Sequence, residues 1–580
     1  MSEEKKLPEG WVIAKVNEIA DVISPGFPCG QYNTERRGFP HLRPMNIDGQ
    51  GRLCLDEIKY VDIDDPPILH SGDILFNNTN SPVWVGKTTV ISQDNQFSFS
   101  NHMTRLCLNT HAGLPAFFAL QLQYMQKCGY FLARCTNHVN QASISSNYLS
   151  HQVDLLMPPI SEQQRIVSAI EERFTILDAV TTTLQQNKQK LKLARASVLK
   201  HAVEGKLTEK WRTEHPATES GQQLLERILA ERRAKWEAEQ LAKGKDPKKL
   251  RYEEPKGPYV SELPELPEGW FWATVEQLAS SQPRSIQSGP FGSALLHSEF
   301  QETGILAIGI DNVLEGVFSI GRQHRISHQK YEELNKFTAR PLDVLITVMA
   351  TVGRCCVVPT DLETAIITKH VYRISANQAV IAPRFLMFCF LGGEVRNQLF
   401  GRVQGQTRPG INGEILKKLA IPLPPLAEQQ QIVAEVERRL SVIEQAEAAI
   451  ETCLKRIERA RQSILEQAFS GQLVPQDPDD GPASVLLERI QEERMRRVVG
   501  GKRRGNNGEV KVARSKKAKE QEFVPQWQLL RDAQSSELVD SSLSSASAHE
   551  DGVAEKGEVE QGEIGKEELR DLVQIPFLWD

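Results

Sequence analysis

The sequence has few of the features that commonly identify a protein's function. It lacks any long apolar run: residues 116–120 and 385–391 are the longest, far short of the roughly 20 residues a membrane helix needs. The opening MSEEKKLPEG has no apolar signal core. There is no CxxC pair and no Cys/His cluster with metal-ligand spacing among the nine cysteines, Cys29, Cys54, Cys107, Cys128, Cys135, Cys355, Cys356, Cys389 and Cys453. They are expected to be reduced, mostly buried thiols of a cytoplasmic protein. An excess of positive charge is also missing, with 69 basic against 75 acidic residues and a net charge of −6. Residues 536–571 hold 11 acidic and 3 basic side chains, and residues 502–519 hold 8 basic and 1 acidic. The body without them is still slightly acidic, so any surface for nucleic acid must be local.

Motifs that would imply catalysis are incomplete. The segment SPVWVGKT at 81–88 has Ser81 where a phosphate loop needs its first glycine. Asp65-Pro66-Pro67 is followed by Ile68 rather than the aromatic of the amino-methyltransferase motif, and no glycine-rich cofactor loop precedes it. His102 and His370 have no nucleophile or ligand set nearby. No self-contained active site and no metal site are expected.

What the chain does contain is itself, twice. Residues 158–207 align without a gap on residues 424–473, with about 16 of 50 positions identical. LPEGW at 7–11 returns at 266–270. Between these markers Gly38, Asn46 and Ile47 answer to Gly304, Asn312 and Val313, GDIL at 72–75 to LDVL at 342–345, and His102 and Arg105 to His370 and Arg373. Self-similarity at a long period signals a duplicated architecture. The expected plan is a domain over 1–157, a long helix over 158–207, a charged helical appendix and linker over 208–265, a second domain over 266–423, a second long helix and appendix over 424–495, and a charged, disordered tail over 496–580.

Both repeated segments carry apolar residues at spacings of three and four: Ile170, Phe174, Leu177, Leu184, Leu191 and Val198, then Val436, Leu440, Ile443, Ile450, Leu454, Ile457 and Ile464. Such a narrow seam predicts a coiled coil. Thr181, Lys188, Arg195, Glu447 and Arg461 interrupt it and would fix register. The Pro-Pro pairs with Glu162 and Glu428 predict helix starts, and Gly205 and Gly471 predict stops. Equivalent units in one chain pair about a pseudo-twofold axis, which predicts antiparallel helices. The appendix at 221–243 shares LLERI with residues 486–490 and reads as a solvated helix or a docking surface.

The domains mix β-like runs (72–76, 85–91, 342–348, 355–358) with helical ones (116–128, 383–390), so the fold class is mixed α/β, with two α/β domains alternating with two long helices. Their loops hold side-chain types that read base edges and bind phosphate. The DNA-binding candidates are Arg36, Arg37, Arg43, Asn46, Asn77, Asn78, Asn80, Lys87, Asn137, His138, Asn140 and Gln141 in the first domain, and Arg322, Arg325, Thr347, Thr351, Arg354, Lys369, Gln404, Gln406, Thr407 and Arg408 in the second.

The pattern PPISEQQRIV and PPLAEQQQIV opening a long helix, with the exits SVLKHAVEGKL and SILEQAFSGQL, resembles the specificity (S) subunit of type I restriction-modification systems over about residues 7–495. The resemblance implies two target recognition domains, each reading one half of a split, asymmetric double-stranded DNA sequence. It further implies a helical spacer that docks two adenine methyltransferase (M) subunits, and two restriction (R) helicase-nuclease subunits in the complex. S-adenosylmethionine would then belong to M, and ATP and Mg to R, leaving this chain without cofactor or catalysis of its own. The competing expectations are the recognition half of a single-chain restriction-methylation enzyme and a coiled-coil scaffold with no DNA role.

Overall fold

A computed structural model describes residues 7–139, 141–321, 323–401 and 410–502. The tail beyond residue 502, including its basic stretch, lies outside the described residues. The fold is mixed α/β with two long helices, Ile160–Val203 and Leu426–Phe469, of 44 residues each. The chain forms two compact units, one from residues 7–184 and 452–502, the other from residues 185–451. Each unit therefore joins one domain to a portion of both long helices.

In the first unit the central sheet is antiparallel, in the order Ala20–Pro25, Met103–Leu108, Ile74–Asn77, Thr88–Val90. A smaller sheet places Phe39–Leu42 between Lys59–Val61, antiparallel, and Ser98–Phe99, parallel. The second unit repeats both. Its antiparallel sheet runs Ile286–Ser288, Val371–Ile374, Val344–Thr347, Cys355–Val357, and its mixed sheet again contains one parallel pair, Ile305–Ile308 with Ala365–Ile367. In each domain the first strand pairs antiparallel with the last, Val12–Lys15 with Asp154–Met157 and Phe271–Thr274 with Ala420–Leu423, so the domain closes just before its long helix begins.

The repeated sequence motifs are the joints of this frame. The Glu and Gln of the PPxxEQ pattern are fully buried. Glu162 Oε2 accepts the Trp11 indole N–H at 3.0 Å, and Glu428 Oε2 accepts that of Trp270 at 2.9 Å. Gln163 donates to the Pro158 and Ala112 carbonyls while its Oε1 accepts from Leu114 N; Gln429 does the same with Pro424, Val380 and Ala382. Buried polar groups need partners, and the tryptophan–glutamate bond and the three glutamine bonds are equivalent in the two copies, while Glu428 Oε1 has two further donors in Thr208 and Arg212. At the far ends Gly205 (φ 72°) and Gly471 (φ 73°) take the left-handed conformation. The next residue donates five positions back, Lys206 to His201 O and Gln472 to Gln467 O, the bond that closes a helix C-terminus on glycine.

Within each unit the long helices run antiparallel. In the first, Ile166, Val167 and Ile170 share a core with Leu465, Ala468 and Phe469, and further along Asp178 accepts from Arg461 at 2.6 Å. In the second, Lys188 pairs with Glu451, and Arg195 with Glu444 and Glu447, both at 3.4 Å. Of the seam residues, Ile170, Leu177, Leu184, Val198, Val436, Ile443, Ile450 and Ile457 are buried, whereas Phe174, Leu191, Leu440, Leu454 and Ile464 are half-buried.

Two expectations need correction. Only Cys355, Cys356 and Cys389 are buried; the other six thiols are partly accessible, Cys29, Cys54, Cys128 and Cys135 outside regular elements, Cys107 on a strand and Cys453 on the second long helix. The appendix helices are not simply solvated. Leu224, Leu225 and Ile228 of Gly221–Ala242 pack into the second unit's core, and Leu486 and Ile490 of Ser484–Lys502 into the first's. Gly221 N donates to Gly269 O at 2.8 Å and Ala483 N to Gly10 O at 2.9 Å, tying each helix to an LPEGW segment. Arg232 donates to the carbonyls of Glu276, Gln277 and Ala279, and Arg494 to those of Asn17 and Ala20, so each caps the C-terminus of a short helix.

Candidate nucleic-acid interface

In both domains one end of the central sheet gathers the same three pieces of chain. Asn77 in the first domain and Thr347 in the second open a loop between two central strands. Asn77 N donates to Lys87 O and Gly86 N returns to Asn77 O; Thr347 N donates to Arg354 O and Gly353 N returns to Thr347 O. Next comes a turn, where Asn78 N donates to His102 O and Val348 N to His370 O, which gives the two matched histidines a backbone role. The third piece arrives late in each domain. Ile144 N donates to Asn78 O and Ile411 N to Val348 O, both within 3.1 Å. In the first domain this segment forms a small antiparallel sheet, Thr136–Asn137 with Ala142–Ser143 with Thr79–Asn80, so the loops 77–87 and 136–143 stand side by side.

A fourth loop joins them through one side chain. Lys87 is 9 % exposed and its ammonium donates to the carbonyls of Pro44, at 2.9 Å, and Ile47. Burial lowers its pKa, with Asp48 opposing. This lysine thereby holds the loop carrying Arg43 to Ile47 against the loop carrying Trp84.

Several candidates are committed inside the fold. Asn46 is buried, with Oδ1 accepting from Arg43 N and Nδ2 donating to Cys54 O; Asn312 repeats this with Gly309 N and Ser319 O. Both ends of the amide shape a turn. Asn77 and Asn78 are buried and donate to Trp84 O, and to Asn101 O and Thr104 Oγ1. Thr347 is buried and donates to Thr351 O; Thr351 is half-buried. Arg325 lies on the other sheet, paired with both oxygens of Glu363 at 2.6 and 3.1 Å and donating to Gly304 O. Arg36 and Arg37 lie on the loop before Phe39–Leu42, with Arg37 3.1 Å from Glu35.

The accessible candidates at the loop end are Asn137, His138 and Gln141 in the first domain and Arg354 and Lys369 in the second, with Arg43 and Asn80 half-buried. His138 Nε2 is 3.2 Å from Ser143 Oγ, and Asn80 Oδ1 accepts from Ser81 N. Asn140, Arg322, Gln404, Gln406, Thr407 and Arg408 lie outside the described residues.

Sequence reasoning passed over residues that border these loops. Tyr32 has Arg43 and Lys59 at 5.5 and 5.6 Å from its ring centroid. Met45 and Trp84 are 51 % and 43 % exposed beside Arg43 and Lys87. An aromatic within a polar loop was the available signal. Among the described residues no group of His, Cys, Asp and Glu is placed to hold a metal ion, and no helix is long and apolar enough to cross a membrane.

Comparison with known proteins agrees with this arrangement. The family model described as the type I restriction modification DNA specificity domain matches residues 8–193 and 309–454. The chain is 25% identical to the Type I restriction enzyme EcoKI specificity subunit of Escherichia coli (strain K12), over 86% of this chain and 98% of that one. To the EcoBI specificity subunit of Escherichia coli it is 23% identical, over 85% and 94%. A chain from a solved structure titled as the basis of complex assembly and conformational transition of the type I R-M system shares the fold, with a TM-score of 0.56 at 17% identity, covering 80% of this chain and 99% of that one. With its duplicated domains, paired long helices and matched family model, the chain belongs to the type I restriction-modification specificity subunits, the non-catalytic components that give such complexes their DNA specificity.

Proposed function

We propose that each domain of this specificity subunit reads one half of a split, asymmetric DNA target, and that the long helices set the unspecified spacer between the halves. The observation carrying this reading is the contrast between frame and loops. The two domains repeat the same joints down to single hydrogen bonds, yet the loops gathered at the end of the central sheet carry different side chains, Asn80, Lys87 and Trp84 in one and Arg354 and Lys369 in the other. A common frame fixes placement, and divergent loops fix base preference. In this reading the complex forms in the cytoplasm. Two M subunits dock on the helical frame and supply S-adenosylmethionine-dependent adenine methylation, which includes taking the target base out of the stack. Two R subunits supply ATP- and Mg-dependent translocation and cleavage. DNA recognition domains of this chain correspond to residues 1–157 and 266–423.

The test is modified-base sequencing of the host genome with the gene intact and deleted. The expected result is 6-methyladenine in a motif of two defined half-sites separated by unspecified bases, lost on deletion. Methylation of a continuous motif, or a split motif unchanged by deletion, contradicts the proposal.

A further inference from the structure

Resting on that reading, we propose that Trp84 and Met45 form an apolar ledge by which the first domain contacts a thymine 5-methyl group in its half-site. The two side chains line an open recess of about 480 Å³ together with Arg43, Asn80 and Lys87. They are 43 % and 51 % exposed, and what singles them out is that they adjoin one another beside three polar side chains, since isolated exposed apolar residues are common. Their juxtaposition is built rather than incidental. Lys87 ties the backbone of Pro44 and Ile47, on either side of Met45, to the loop of Trp84, and its ammonium lies 5.5 Å from the indole centroid. Gly49 lets the chain lie on the ring, since a Cβ there would stand 3.3 Å from the indole.

Charge points to DNA as the occupant. Arg43 borders the ledge, and Lys59 continues the basic strip past Tyr32. The neighbouring carboxylate Asp48 is held by Arg52 at 3.0 Å. The indole, packed at Gly49 and flanked by Lys87, lacks the two free faces that a side chain needs to insert between base pairs. A half-packed apolar surface at the edge of a polar loop instead suits the methyl group that distinguishes thymine in the major groove. The loop of the second domain, VMATVG at 348–353, has no aromatic, so the contact belongs to one half-site only.

The test uses this chain assembled with its methyltransferase partner and duplexes bearing the motif that genome sequencing defines. Each thymine of both half-sites is replaced in turn by uracil, which removes only the methyl. One replacement, in the half-site read by the first domain, should weaken binding of the unaltered complex by about 10-fold, in the range of a single mismatched base pair. In Trp84→Ala the same replacement should have no further effect, whereas replacements in the other half-site should act as before. Met45→Ala gives a second reading from the opposite side of the recess, should the Trp84 variant fail to assemble. If no replacement in that half-site weakens binding, or if its effect persists undiminished in both variants, the ledge has no such role. A complex without a split motif would instead refute the two-half reading on which the ledge rests.

Discussion

At the scale of single residues, burial decides what each polar group can do. His41 is fully buried, its Nδ1 is 2.9 Å from Ser98 Oγ, and burial first, then Arg43, hold its pKa down to about 4. Between about 6.5 and about 4 the unfolded chain takes up a proton at this position that the folded chain refuses. Stability contributed by the neutral ring is therefore present above pH 6.5 and lost as pH falls through that window, by up to about 3 kcal/mol. Thermal unfolding followed from pH 7 to 4 should show the loss, and His41→Gln should flatten it. The two buried glutamates make a second comparison. Glu428 accepts from Trp270, Thr208 and Arg212, while Glu162 accepts from Trp11. Truncating Glu428 to Ala leaves the buried Trp270 and Thr208 donors and the part-exposed Arg212 without their acceptor and should cost about 2–3 kcal/mol; Glu162→Ala, which frees the Trp11 donor, should cost about 1–2 kcal/mol. Calorimetry on the full chain distinguishes the two.

At the scale of elements, the polar breaks in the helical seam are pairing devices. Arg461 and Arg195 occupy equivalent positions in the repeat and meet equivalent acids, Asp178 and Glu444. Their surroundings differ. The Arg461 side chain is 7 % exposed and lies 4.7 Å from the Phe174 ring centroid, whereas Arg195 is 29 % exposed. Arg461→Ala should therefore destabilise by about 2 kcal/mol, combining a charge-assisted bond with a desolvated cation–ring contact. Arg195→Ala should stay below about 1 kcal/mol, as open ion pairs do. Urea titrations of both variants provide the check. The heptad spacing made the helices readable, and their ends fall close to the Pro-Pro and Gly signals. The packing of the appendix helices was less readable, because LLERI in a highly charged segment looks the same whether its apolar face is covered or bare.

At the scale of the whole molecule, duplication permits exchange. Replacing residues 267–423 by the corresponding segment of another specificity subunit should change one half of the methylated motif and leave the other, as read by modified-base sequencing. The closing strand pair Phe271–Thr274 with Ala420–Leu423 brings the ends of that segment together, so the exchange needs only one joint, and the replacement must keep the residues that pack on Leu199, Val203 and Val436.

The sequence by itself determined the frame. Trp11 and Trp270, Gln163 and Gln429, Asn46 and Asn312, Gly205 and Gly471 match between the halves with the same hydrogen bonds or backbone geometry in both units, and Glu162 and Glu428 share the bond from the tryptophan. A buried polar group or a left-handed glycine tolerates few replacements, so its signal survives divergence of the two copies. Only the tertiary structure decided which loop residues face outward. Lys87 has the chemistry of a base reader and serves as a tether, Asn77 is buried, and Trp84 stands open beside Met45 although 39 residues separate them. Side-chain type states what a residue could bind; the partners brought to it by distant parts of the chain determine whether it is free to do so.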